Sequence, residues 1–475
     1  MLAGGVRIGP RRSGAGMLRP MRASASLARR AASASFVIAC VLSASGDARA
    51  NGRYPAAGLI ALDPSDPQHI VVRATYGLLS TFDGGATWQW TCEQSVGFSD
   101  NEDPMVSMTK NGTLLAGVFD GLSVSTDRGC DWAFVGGDLA ERYVVDLSVE
   151  KNAQDHALAI VSNGIGNGMF ETRVYESLDD GATWAQAGAD LPSEFLGLSI
   201  DAAPSDSQRL YATGRFGAPD YPGVLERSDD RGATWTRLDI PGSDDTHPPY
   251  LSAIDPSDPD RIYVRLDAPD ADRLVVSSDG GTTWTTAFEG IGGLLGFALS
   301  PDGKTVMVGG DEDGLWSAPS DTLAFTKVAD VGVRCLLWAE DRLYACADEF
   351  KDGFHVGYST NEGKTFSALE HLSQVCPMEC PAGTKTQNEC PDRWGVVSLT
   401  IDAKSCGGAG GSTGGAGGST GGAGGSTTST GGSGGSGEGC ACSTTGGGAA
   451  SGALLFAAGA LSMITRRRRR RAISG

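Results

Sequence analysis

The stretch SDDRGATW, residues 228–235, decides the fold, because it does not stand alone. Full copies occur as TFDGGATW at 81–88, STDRGCDW at 125–132, SLDDGATW at 177–184 and SSDGGTTW at 277–284. A weaker copy, STNEGKTF, occupies 359–366, and APSDTLAF at 318–325 keeps only the terminal aromatic. The closing aromatics Trp88, Trp132, Trp184, Trp235, Trp284, Phe325 and Phe366 are spaced by 44, 52, 51, 49, 41 and 41 residues. One supersecondary unit therefore recurs about seven times.

Each copy has the chemistry of a hairpin turn. The leading Ser or Thr and the acid two places on (Asp83, Asp127, Asp179, Asp230, Asp279, and Asn361 in the weak copy) can bond nearby backbone and hold a tight loop. The Gly two places later accepts positive φ without steric cost. The closing Trp starts the next strand and brings a large apolar face to bury. A second turn recurs upstream: IDPSDPDRIYV at 254–264 matches LDPSDPQHIVV at 62–72, with looser forms at 201–212 and 299–308. Each unit thus reads as four strands joined by two standard turns and one variable loop. Four strands per 40–50 residues is propeller spacing, which predicts an all-β, seven-bladed β-propeller of antiparallel four-stranded blades.

The motif Ser/Thr-x-Asp-x-Gly-x-Thr-Trp resembles the Asp-box, or BNR, repeat of sialidases, sortilin-type receptors, xyloglucanases and a photosystem II assembly factor. The resemblance covers about residues 55–370. It implies the propeller fold and a structural role for the box, and it leaves function open, because one fold hosts many activities.

Strand parity places the two standard turns on one face and the variable connections on the other. Those connections include 93–104, 162–170, 214–223, 240–250 and 348–353. Variable loops on a rigid scaffold are where binding sits. They hold Phe98, Phe170, Arg215, Phe216, Tyr221, His247 and Tyr250 as candidate ligand-binding residues, beside the plainer reading that the rings pack the loops down.

No catalytic residue stands out. A sialidase resembles this chain only in the boxes. Such an enzyme needs an Arg cluster and an Arg-Ile-Pro motif before the first box, where this chain has only Arg53-Tyr54-Pro55. Xyloglucanase-type enzymes place catalytic Asp residues across two propellers, and one is read here. No metal-ligand spacing and no phosphate loop is present, so neither metal nor cofactor is expected. The reading from sequence is binding of a protein or glycan without catalysis. Its alternative is a glycan-cleaving hydrolase, which an Arg-lined pocket on the variable-loop face would favour.

Charge and cysteines set the compartment. Residues 51–405 carry 24 basic and 55 acidic residues, which disfavours nucleic acid as a partner. Residues 1–50 read as a signal peptide region, with Arg29-Arg30, an apolar run and ARA before a cut after Ala50. In an exported chain the eight cysteines of 51–406 are expected in disulfides. Cys335 and Cys346 lie opposite each other in CLLWAEDRLYAC and are predicted to bridge. Cys376, Cys380, Cys390 and Cys406 read as two bridges of open connectivity within the segment 371–406, packed on the propeller. Elimination would pair Cys92 with Cys130, although parity sets them apart.

Residues 407–439 read as a Gly/Ser-rich stalk without apolar content to fold. In 440–475 a Cys pair, a short apolar run and Arg466–Arg471 follow. This tail is similar to the MYXO-CTERM sorting signal of bacterial surface proteins. That resemblance implies processing or lipidation at Cys442 or Cys440 by export and sorting proteases, with membrane anchoring at the cell surface of a Gram-negative bacterium.

Overall fold

The computed structural model describes residues 53–406 apart from Asp100, Asn101, Asp270 and Ser405. The signal region, the stalk, Cys440, Cys442 and the Arg cluster lie outside the described residues. The described chain forms seven sheets, each with four antiparallel strands in sequence order, and the first gains a fifth strand at its outer edge. The innermost strands are Ala57–Asp63, Met105–Met108, Val144–Val149, Phe195–Ala203, Pro249–Ile254, Gly296–Leu299 and Val333–Ala339. Each packs beside the next, and the seventh returns to the first, so they line a central channel. Hydrophobic clusters fill the space between successive blades, as in the group of Leu158, Ile160, Phe195, Ile200 and Leu210.

The repeated turn joins the third and fourth strands of six blades, and its hydrogen bonds follow the side-chain chemistry. In blade four Ser228 Oγ donates to Asp230 Oδ1 at 2.9 Å and accepts from Gly232 N at 2.8 Å. Asp230 also accepts from Thr234 N at 2.8 Å and Thr234 Oγ1 at 2.7 Å. Asn361 keeps the same bonds in blade seven, accepting from Ser359 Oγ at 2.8 Å and Thr365 N at 3.0 Å. The sixth blade makes its hairpin without the motif, between Gly314–Pro319 and Thr326–Ala329.

The glycine of the turn does more than bend the chain. A Cβ on Gly281 (φ +94°) would sit 2.3 Å from Leu225 of the preceding blade. One on Gly85 (φ +99°) would sit 2.4 Å from Leu369 of blade seven, where the ring closes. A side chain at either place would be both strained and in collision. At these blades the repeated turn is therefore a docking element, pressing the blade onto its predecessor.

The four cysteines of 376–406 form only one bridge among themselves. Cys376 bonds Cys406, whereas Cys380 bonds Cys130 and Cys390 bonds Cys92. The expectation of two bridges within this segment is corrected by its path. Strand Val375–Pro377 runs parallel along Trp88–Thr91 as a fifth strand of blade one. The chain then crosses to the second blade's turn, where Thr386 N donates to Cys130 O at 3.0 Å. Sequence distance hid these partners, since the separations are 298 and 250 residues. The Cys335–Cys346 bridge forms as expected, with its Cα atoms 4.9 Å apart in register. Residues Pro391–Thr400 form a helix, and Trp394 and Val397 pack it onto the first blade's cluster.

This strap changes the closing tryptophans. Trp88 is 1% exposed under Val375, and Trp132 is buried beside the strap. Trp184, Trp235 and Trp284 close bare edges and stay half-buried. Full burial at every copy does not hold, because only two outer edges are covered. No helix among the described residues is long and apolar enough to cross a membrane.

Candidate active-site face

The five variable connections named above lie on one face, opposite both standard turns. Part of the candidate set converges there. Tyr250, on the innermost strand of blade five, lies opposite Arg265 in register, and that guanidinium sits 5.2 Å from its ring. Arg215, in the second strand of blade four, is close enough to act on the Tyr250 hydroxyl. Arg215 Nε is buried and makes no hydrogen bond among the described residues.

Tyr143, not foreseen from sequence, completes the group. It directly precedes the innermost strand of blade three on the same face, with its ring 4.6 Å from Phe119 in an edge-on contact. Burial pushes its hydroxyl well up, and Glu102 and Tyr250 add to the effect. Burial also raises the Tyr250 hydroxyl, with Asp267 adding and Arg265 and Arg215 opposing. Glu102 accepts Ser99 N at 2.7 Å and Phe119 N at 2.6 Å, tying two loops beneath Tyr143, and burial raises its carboxyl. Asp272 performs the same service in blade five by accepting Ala268 N at 2.8 Å and Leu294 N at 2.9 Å. Burial raises it too, against the pull of Arg265.

The other candidates stand apart from this group. Phe98 is 4% exposed in the core between blades one and two, where it packs its loop down and offers no ring to a ligand. Phe216 lies under Arg237, 3.2 Å from its guanidinium carbon. His247 bonds Asp244 at 2.7 Å within its own loop. Phe170 lines a cavity of about 290 Å³ with Ile165, Glu171 and Asp190, and Arg173 pairs with both carboxylates. Tyr221 borders the same loop, its hydroxyl close to Gly168. Tyr143 and Glu102 carried no sequence signal, because nothing local marks a residue that a ring of blades brings to the mouth. Among the described residues no group of three His, Cys, Asp or Glu side chains is arranged to hold a metal ion.

No protein-family model matches the chain. A xyloglucanase from Paenibacillus sp is 30% identical over 276 residues, which is 48% of this chain and 26% of that enzyme. Among solved structures, an ancestral GH74 enzyme matches with a TM-score of 0.50 at 15% identity, over 67% of this chain and 46% of the other. The GH74 enzyme of Niastella koreensis aligns at 15% identity, over 68% of this chain and 66% of its own, with a TM-score of 0.39. The chain thus spans about a quarter of the curated relative and under half of the ancestral enzyme. The structural likeness establishes the propeller. The sequence match overturns the expectation of binding without catalysis and favours the alternative.

Proposed function

We propose that this protein is a glycan-cleaving hydrolase directed at a β-glucan of the xyloglucan type. The observation that carries this reading is the 30% identity with a xyloglucanase. The variable-loop face supports it. It carries Tyr143 and Tyr250, with Arg265 against the Tyr250 ring, Arg215 near its hydroxyl, and Arg142 and Arg173 on the blade of Tyr143. Tyrosine hydroxyls and guanidinium groups supply the directed bonds that orient sugar hydroxyls, while the rings take their C–H faces. Asp267, in the loop of blade five, lies near enough for its charge to raise the Tyr250 hydroxyl, and it is the carboxylate we assign to the reaction. A glycosidase needs a second carboxyl across the scissile bond, so Asp267 is half of a pair.

The test is release of reducing ends from a panel of β-glucans, xyloglucan first, by the mature protein. Release is expected, with a drop of about 100-fold or more in Asp267→Asn at unchanged thermal stability. No release from any glycan would overturn the hydrolase. Unchanged turnover in the variant would remove Asp267 from the reaction.

The repeat's likeness to the Asp-box and the tail's likeness to a MYXO-CTERM signal support a surface-displayed enzyme. In this proposal export removes residues 1–50, and the stalk holds the propeller away from a membrane attached through Cys442 or Cys440. Intact-mass analysis of surface fractions tests it, with loss of Arg466–Arg471 expected. A chain ending at Gly475 on the surface would refute processing.

A further inference from the structure

At the rim between blades seven and one, two aromatic rings face solvent. Tyr54, which precedes the first strand, is 51% exposed. Phe350 is 75% exposed and sits in the short helix Glu349–Asp352, in the loop after the second strand of blade seven. Their centroids lie 6.3 Å apart in an edge-on arrangement. Single exposed apolar side chains need no explanation, but two in contact over a charged base do.

The base is organised by one carboxylate. Asp348 Oδ1 accepts the N–H of Phe350 at 2.9 Å, the N–H of Lys351 at 3.2 Å and the hydroxyl of Tyr54 at 3.3 Å. Its Oδ2 accepts from Arg334 at 2.9 Å. Arg334 is pinned from the other side by Asp311 at 3.0 Å, and its guanidinium lies 5.8 Å from the Tyr54 ring centre. Lys351 Nζ reaches Asp311 O at 2.6 Å and ties the helix to blade six. The Tyr54 hydroxyl and the backbone that carries Phe350 are therefore held before any ligand arrives. Ordering exposed rings in advance lowers the entropy lost on binding.

We propose that Tyr54 and Phe350 form a sugar-stacking platform, an outer subsite for the glycan chain whose reacting portion lies at the channel mouth. This rests on the hydrolase reading above. The apolar C–H face of a pyranose suits an aromatic face held in water, and a rigid ring at the rim suits a long, stiff polysaccharide. The platform sits on the same face as Tyr143, Tyr250 and Arg215, so one chain can meet both.

Titration calorimetry of the mature protein with xyloglucan oligosaccharides tests the platform, beside a separate assay of turnover on a short aryl glycoside. Tyr54→Ala and Phe350→Ala should each weaken binding about 3- to 10-fold, the range for one aromatic contact. Phe350→Trp should keep or improve it, and turnover of the short substrate should stay unchanged in all three. Wild-type affinity in both alanine variants, with unfolding midpoints preserved, would overturn the platform. So would a wild-type protein that binds no glycan. Binding that falls in the variants of a protein showing no turnover would leave the platform standing and defeat the hydrolase.

Discussion

Cys92, just after the last strand of blade one, is bonded to Cys390, 298 residues later, with Cα atoms 5.3 Å apart. With Cys130–Cys380 it fastens the C-terminal segment across blades one and two. The four antiparallel strands of every blade are consecutive in the chain, so none of them is drawn from the other chain end to lock the ring. The strap supplies that lock after the ring is complete.

Replacing Cys92, Cys130, Cys380 and Cys390 together by Ser should cost at least about 5 kcal/mol. Replacing Cys335 and Cys346 should cost about 3 kcal/mol, since the entropy removed from the unfolded chain grows with loop length. Urea midpoints of the two variants check the order. Equal losses would show that the strap contributes no closure.

Trp88→Ala should destabilise by about 3–5 kcal/mol, as other fully buried aromatic truncations do. Trp184→Ala should cost only about 1–2 kcal/mol, because its indole is half in water already and loses less apolar burial. Thermal unfolding of the two variants would show the difference. Equal shifts would mean that the strand over Trp88 adds nothing.

Asp146, on an innermost strand, is pushed up to about 7 by burial, although Ile200 N and Leu147 N donate to it at 2.9 Å each. Asp201 nearby is raised by burial in the same direction. The folded chain holds a proton that the unfolded chain releases near pH 4, so stability falls as pH rises from about 4 to 7 and is level above. Asp146→Asn removes that titration. Its stability should fall less than wild type across this window, measured as urea midpoints at several pH values. Parallel curves would refute the assignment.

The turn aspartates act in the opposite sense. Bonds from Thr234 and Ser228 hold the Asp230 carboxyl below its ordinary range, and Thr183 does the same for Asp179. A depressed carboxyl stabilises above the unfolded value, and that contribution is lost as pH falls through the folded one. Asn361 already makes these bonds without a charge. Converting Asp179, Asp230 and Asp279 to Asn should leave the fold intact at neutral pH and reduce its acid sensitivity. Acid titration followed by tryptophan fluorescence reads this, and unchanged acid sensitivity would count against it.

Local chemistry was legible in the sequence. The repeated turn, the spacing of its aromatics and the facing Cys335 and Cys346 depend on residues a few positions apart, so the chain alone determined the seven blades and the face that carries the variable loops. What joins distant positions was decided only in the folded ring. The partners of Cys92 and Cys130, the burial of Trp88, the approach of Tyr143 and Tyr250 on one face and the edge-on contact of Tyr54 with Phe350 all require ring closure. Closure sets blade seven beside blade one and returns residues 375–406 to both, and no local pattern encodes a contact made across some 300 residues.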